Sequence, residues 1–274
     1  MVDLSNGGER LIPGQFGRTA IEHLHRYALA VNLVKGKNVL DIACGEGYGS
    51  FLLSKFATHV TGIDISNEVI QHAINEYKKS NIEFITGSAC EIPVLDKSFD
   101  VIVSFETIEH LLDHEKMISE MFRVLKDDGV ILISTPEKSM YSEKVNFSNK
   151  FHLKELYLDD FKNILQSRFK FVDVYFQKYF CGSIFISEKV EDNYFKFISG
   201  DFNEINFEIK QIDPDYIIVL ASKSISLPNL DPSIFTNINF PKKENYTVNK
   251  IGFRYRLIDK IFFPFDFVKR RLNR

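Results

Sequence analysis

The chain has 274 residues, room for one large domain or for one domain with an appendage. Apolar residues make up 45% and charged residues 26%, the balance of a globular protein, and a net charge of −3 gives no general attraction to nucleic acid. Cys44, Cys90 and Cys181 are far apart and form no metal-binding spacing, so they read as reduced thiols of a cytoplasmic protein. The first residues lack the apolar core of a signal peptide, and no apolar run approaches the roughly 20 residues of a membrane span.

In chain order, residues 19–34 have helical spacing, with Ile21, Leu24, Ala28 and Val31 on one side. Val39 to Ile42 is a short apolar run, read as a buried strand, that stops at a glycine cluster; Tyr48 to Phe56 is helical. A second strand covers His59 to Ile65 and contains Asp64. Ser66 is suited to cap the helix that follows, with Glu68 in its first turn. Ile82–Thr86 and Phe99–Phe105 read as the third and fourth strands. A helix from about His114 to Leu125 follows, then a turn at Asp127-Asp128-Gly129 and a fifth strand, Val130–Ser134. Strands and helices thus alternate five times, which predicts an α/β fold with a parallel sheet covered on both faces. Lys154–Gln166 reads as a further helix, and Phe169–Gln177 and Tyr216–Ala221 as strands. The stretch 185–214 has no clear pattern. From Ser222 the chain is rich in Ser, Pro and Asn, which puts a boundary near residue 223 and an extension over 224–274.

The strongest local signal is Asp41-Ile42-Ala43-Cys44-Gly45-Glu46-Gly47-Tyr48-Gly49, where glycines at alternate positions follow a strand and open a helix. A dinucleotide would set its pyrophosphate on the helix N–H groups, and carboxylates there would repel it. Asp41 and Glu46 make this loop negative, and the spacing is GxGxG and not GxGxxG. The field suits a ligand with an ammonium and a sulfonium and no phosphate, which describes S-adenosylmethionine. Asp64 stands 19 residues after Gly45, where open α/β sheets place an acid for ribose hydroxyls, and Ile65 is next to it for the adenine.

From Lys37 to about Leu165 the chain resembles the class I S-adenosylmethionine-dependent methyltransferases. The resemblance implies a Rossmann-like, seven-stranded, mostly parallel sheet. It also puts Asp41 and Gly45 at the methionine end of the cofactor, Gly47 along its backbone and Asp64 on its ribose. Gly87-Ser88-Ala89-Cys90-Glu91-Ile92-Pro93 matches the adenine segment, with Ser88 where the family usually has Asp, so Ser88 and Ala89 are the adenine candidates. Phe105, at the end of the fourth strand, joins the cofactor set. Arg26, in the N-terminal helix that covers the cofactor in this family, is a candidate for the methionine carboxylate.

Phe105-Glu106-Thr107-Ile108-Glu109-His110-Leu111 follows the fourth strand. If helical, it brings residues 106, 109 and 110 to one face. The motif resembles the Glu-x-x-Glu-His of metal-dependent O-methyltransferases, which add a later histidine; His152 is available here. Three readings stay open. Glu106, Glu109, His110 and His152 bind Mg²⁺ or Mn²⁺, which lowers the pKa of a bound hydroxyl; or His110, with Glu109, acts as the base; or the Glu-His pair is structural.

Glu9-Arg10-Leu11-Ile12-Pro13-Gly14, the His-Leu-His-Arg-Tyr run at 23–27, Ser134-Thr135-Pro136 and the Phe-His-x-Lys-Glu-Leu run at 151–156 resemble bacterial methyltransferases of cell-surface polysaccharide pathways. That resemblance implies O-methylation of a sugar hydroxyl. The alternatives are a quinone-pathway or small-phenol O-methyltransferase, or a membrane-associated glycan-assembly protein with a vestigial methyltransferase domain. Residues 251–274 hold two Lys and five Arg against two Asp, with many Phe. They are a candidate for peripheral contact with the inner face of an anionic membrane, or for docking on the domain or a second subunit. The acidic body argues against a nucleic-acid partner, and the oligomeric state is not legible.

Overall fold

The computed structural model describes Leu11 and residues 17–179, 183–188, 194–200, 205–211 and 213–235. Most of the expected basic extension, residues 236–274, and Cys181 lie outside these described residues. Helix α1 (Arg18–Val34) leads into β1 (Asn38–Ile42), α2 (Tyr48–Leu53), β2 (His59–Asp64), α3 (Asn67–Glu76), β3 (Ile82–Thr86) and β4 (Phe99–Phe105). Helix α4 (His114–Val124), β5 (Leu125–Pro136), α5 (Leu158–Gln166), β6 (Phe171–Tyr179), β7 (Ser183–Ser187), β8 (Tyr194–Gly200), β9 (Ile205–Gln211), β10 (Tyr216–Ser222) and β11 (Ser233–Phe235) follow.

The main sheet runs β11-β7-β6-β10-β5-β4-β1-β2-β3. Strands β3, β2, β1, β4 and β5 are mutually parallel. Strand β10 inserts antiparallel between β5 and β6. These seven strands form the expected Rossmann-like sheet. All seven residues of β10 are buried, as an interior strand with covered faces requires. Beyond β6 the sheet gains β7 and the three-residue β11, both antiparallel. Strands β8 and β9 pair only with each other. These last elements fall in the stretch for which the sequence shows no clear pattern. Residues 225–235, expected in the extension, pack on the domain: Leu230 is buried among Val34, Val101, Val130 and Leu132.

Alternate residues of each strand feed two cores, because side chains point to opposite faces of a sheet. Leu40, Ile42, Ile102, Ile131 and Ile133 pack with Met117, Met121 and Val124 of α4 and with Phe161 and Leu165 of α5. Val39, Val60, Val101, Val103 and Leu132 pack with Tyr27, Ala30 and Val34 of α1 and with Leu53 of α2. Helix α4 begins where Asp113 accepts the Lys116 N–H at 2.9 Å, and α3 where Ser66 accepts the Val69 N–H, the cap expected from the sequence. None of the described helices is long and apolar enough to cross a membrane.

The order of the strands reverses at β1, which lies between β2 and β4. The crevice at the carboxyl end of such a reversal is where open α/β sheets bind ligands. The glycine loop after β1 therefore sits at the switch point. Gly49 holds it against α1, since a Cβ there would lie 2.0 Å from Cζ of the buried Tyr27 ring. Gly49→Ala is expected to cost on the order of 3 kcal/mol by overpacking. In a double-mutant cycle with Tyr27→Leu, thermal unfolding should show a loss smaller than the sum of the single losses. Strict additivity would remove this contact as the reason for the glycine.

Candidate active site

Two carboxylates hold the glycine loop. Asp41, near the end of β1, is fully buried beneath it and accepts the Ser50 hydroxyl at 2.7 Å and the Tyr27 hydroxyl at 3.4 Å. It thereby ties the loop to α2 and α1. Asp64, the last residue of β2, accepts the Gly45 N–H at 3.1 Å and the Ser66 N–H at 2.9 Å. Gly47 has φ +97°, and a Cβ there would also press on Phe84 and Ala73, so the position needs glycine twice over. At Gly45 a Cβ would meet nothing within 4 Å. That side of the loop is open.

The open side belongs to a cavity of about 370 Å³. Gly45, Glu46 and Tyr48 line it from the loop, Tyr27 and His23 from α1, and Phe105, Glu106, Glu109 and His110 from the end of β4; Tyr141, His152 and Tyr216 complete the far wall. The Phe105 ring meets Tyr27 edge to face, with centroids 5.0 Å apart. Glu46 accepts the Tyr77 hydroxyl at 3.2 Å and stands 3.4 Å from His72 Nε2. Burial raises its pKa, against the opposing pull of Tyr77 and His72.

These residues fit the cofactor that the resemblance implies. Burial raises the Asp41 pKa to about 7, despite the opposing bonds from Ser50 and Tyr27. A cation brought to the loop would relieve that cost. Asp64 ends β2 where ribose hydroxyls are held, and Ile65 beside it is 75% exposed, an apolar face available to a purine. Ser88 accepts the Cys90 N–H at 3.1 Å, and Ser88 and Ala89 are both half-buried.

Past β4 the structure corrects the expected helical face. Glu106 has φ +54°, and the only helical residues that follow before α4 are the single tight turn Ile108–His110. The chain turns sharply as it leaves the sheet, so the i, i+3, i+4 argument does not apply. Glu106 points to Ser134, whose hydroxyl it accepts at 2.7 Å, and to Arg26 Nη1 at 3.3 Å. It therefore leaves the proposed metal set. Arg26 is corrected with it. Fully buried behind Glu106 and off the cavity wall, it donates through Nε to Gln177 Oε1 at 2.8 Å and lies 4.2 Å over the Tyr216 ring. These contacts fasten α1 to β6 and β10, while Nη1 and Nη2 make no hydrogen bond with a described residue, so the structure puts Arg26 off the cavity wall expected for a methionine-carboxylate partner.

Glu109, His110 and His152 do converge, with one ligand atom from each within 4.8 Å of the others. His110 Nδ1 is 2.9 Å from the Phe151 carbonyl, which can only accept, so Nδ1 carries the proton and Nε2 is left as the basic nitrogen. His152 Nδ1 lies 2.6 Å from Glu155 Oε1, and its Nε2 lies 3.0 Å from Asn149 Nδ2. Asn149 Oδ1 accepts the Phe151 N–H at 3.1 Å, which turns its amide nitrogen toward the imidazole. Tyr141 stacks on His152 at 5.5 Å. Glu109 is fully buried; Oε2 accepts the Thr135 hydroxyl at 3.0 Å, and Oε1 has no hydrogen-bond partner among the described residues. Burial first, then the Glu106 charge, raises its pKa well above that of an ordinary carboxyl. The sequence offers little sign of Tyr27, Gln177, Tyr141 or Tyr216, which come from remote segments. Glu155, three residues after His152, was the one visible hint of a partner.

Residues 33–197 match the family model described as a methyltransferase domain. The chain belongs to that family. It is similar to a probable S-adenosylmethionine-dependent methyltransferase of Mycolicibacterium smegmatis, 36% identical over 163 residues, which are 58% of this chain and 63% of that one. It is also similar to phosphoethanolamine N-methyltransferase 1 of Arabidopsis thaliana, 34% identical over 131 residues, which are 47% of this chain and 27% of the plant protein. The chain thus spans less than two thirds of either curated relative. The fold agrees with that of the YcgJ protein of Bacillus subtilis, with a TM-score of 0.55 at 20% identity, covering 74% of this chain and all of the other.

The state of Asp41 gives the methyltransferase domain a specific pH dependence. Its folded pKa, about 7, is above the ordinary 3.8. The stability tied to its proton is therefore present below pH ~4 and is lost as pH rises toward 7, at up to about 1.4 kcal/mol per pH unit. Without cofactor, Asp41→Asn should flatten the thermal-unfolding profile between about pH 4 and 7 and be more stable than the parent at pH 8. Parallel profiles would contradict a buried, protonated Asp41.

Proposed function

We propose that this chain is an S-adenosylmethionine-dependent methyltransferase that methylates oxygen, and that its acceptor is a sugar hydroxyl of a cell-surface polysaccharide pathway. The carrying observation is that Glu109, His110 and His152 line the same cavity as the glycine loop. When bound, S-adenosylmethionine supplies an electrophilic methyl group on a sulfonium. An alcohol oxygen is a poor nucleophile while protonated. His110 Nε2 accepts that proton, and the Phe151 carbonyl on Nδ1 fixes the tautomer that allows it. Acidic Glu46 and the buried Asp41 make the loop favourable to positive charge, and Asp64 and Ile65 orient the nucleoside.

The wall supports a neutral, polyhydroxylated acceptor. The described lining residues include Thr19, Tyr48, Tyr141, Tyr216 and three histidines, and no Lys or Arg. Arg26 is behind the wall and paired with Glu106. Among the described lining residues, an acceptor with a phosphate, like the one in the plant relative's name, would find carboxylates and no Lys or Arg to pair with. The polar wall also offers little to a long apolar quinone tail. Calorimetry should show micromolar binding of S-adenosylmethionine that Asp64→Ala weakens at least 10-fold. An acceptor screen should show methyl transfer to sugars and none to phosphoethanolamine. Turnover of phosphoethanolamine or of a polyprenyl phenol, with sugars inert, would overturn the acceptor assignment.

A divalent cation is the second reading, favoured by the buried Oε1 of Glu109, which has no hydrogen-bond partner among the described residues. Two imidazoles and one carboxylate suit Mn²⁺ better than Mg²⁺, which prefers oxygen donors alone. Chelator treatment separates the two. If His110 is the base, activity survives chelation and His110→Gln lowers kcat about 10²–10⁴-fold. If the metal reading holds, chelation abolishes turnover, Mn²⁺ restores it, and elemental analysis finds one ion per chain that Glu109→Gln loses.

A further inference from the structure

The segment between the wide turn Ser139–Glu143 and Tyr157 forms one lip of the cavity, and its composition is unusual for a protein surface. Val145 is 62% exposed, Phe147 52%, Phe151 40% and Leu153 59%; on the neighbouring turn Leu112 is 70% exposed. The Leu153 and Lys154 N–H groups both bond to the Glu109 carbonyl, and His110 bonds to the Phe151 carbonyl, so this segment and the turn after β4 form one edge. Residues 144–154 contain Lys144, Lys150 and Lys154 and no acid. Lys144 is paired with Asp213. Lys150 and Lys154 are exposed and form no ion pair with a described residue; Lys150 lies 4.8 Å over the Phe151 ring.

We infer that this lip docks on an anionic lipid surface, with Val145, Phe147, Phe151 and Leu153 entering the headgroup region and Lys150 and Lys154 meeting lipid phosphates. Exposed apolar side chains interleaved with unpaired lysines are the pattern of an interfacial membrane contact. Protein interfaces, by contrast, are depleted in lysine at their centres. The lip carries His152, which lines the cavity, so a docked lip would set the cavity mouth against the bilayer and favour acceptors held there by a lipid anchor. The inference stands apart from the acceptor assigned above, because vesicle binding requires neither cofactor nor acceptor.

The test is flotation of the full chain with phosphatidylcholine vesicles, with and without 30% phosphatidylglycerol. Binding is expected only with the anionic lipid and should fall as salt rises. Each surface lysine contributes roughly fivefold in affinity, so Lys150→Glu with Lys154→Glu should weaken binding roughly 30-fold or more. Phe147→Ser with Val145→Ser should weaken it at least several-fold while S-adenosylmethionine binding stays intact. The basic stretch 251–274 is present throughout, so undiminished binding in both variants would assign it to that stretch and overturn the proposal. Failure to bind either vesicle would do the same. So would loss, in these variants, of a dimer seen by light scattering in place of loss of vesicle binding, which would make the lip a self-association surface.

Discussion

The buried carboxylate of Asp41 is the point on which the first half of this structure depends. It lies in the sheet with no cation beside it among the described residues, and its hydroxyl partners come from two different helices, Tyr27 of α1 and Ser50 of α2. Burial raises its pKa to about 7, against the opposing pull of these two hydroxyls. Such a group adds little to stability by itself. What it provides is position: the loop between Ala43 and Gly49 cannot shift without breaking these bonds, and Asp64 holds the Gly45 N–H from the side. The loop is thus preformed before any ligand arrives.

A second buried polar assembly does the same for the other half of the cavity. Arg26 meets Glu106, Gln177 and the Tyr216 ring, and Tyr216 in turn donates to Glu22 at 3.1 Å. Helix α1 is therefore bonded to β6, to β10 and to the turn after β4 at once. Removing one partner from such a cluster leaves a buried charge uncompensated, which is costly. The two assemblies lie on one helix, with Arg26 serving the acceptor side and Tyr27 the cofactor side. Adjacent residues of a helix point in different directions, so one turn of α1 reaches both.

The parallel half of the fold was legible in the sequence because each of its strands is a short apolar run closed by a turn signal. β3 and β4 have the bounds read from the pattern alone. β7, β8 and β9 were not legible: their segment mixes Phe with Lys, Asp and Asn, and none of these strands belongs to the seven-stranded core that carries the hydrophobic signal. The glycine loop and Asp64 could be read because their spacing along the chain mirrors the βαβ unit. The acceptor side could be read only in part. Glu109, His110 and His152 are brought together as expected, but helical periodicity gave a wrong partner in Glu106, because a left-handed residue at the strand exit carries no mark in the sequence. The pairing of Arg26 with Glu106 could not be read, because its counter-charge is 80 residues away, on another element.

The charges of the cavity give the site a direction. Glu46 and Glu109 are both shifted upward by burial, Asp41 likewise, and among the described residues the Arg26 guanidinium near them is ion-paired with Glu106. Burial disfavours the charged form of each of these carboxyls, and a cation placed beside them would offset that cost. Under the proposed function, binding of a sulfonium would favour the ionised form of Asp41 and so strengthen as pH rises toward its pKa of about 7. In the proposed reaction, methyl transfer would remove that positive charge, since the sulfur left behind is a neutral thioether. The field that favours the cofactor then no longer favours the product to the same degree. On that reading the buried acids, which cost the fold stability, would also discriminate between the charged and neutral forms of the ligand.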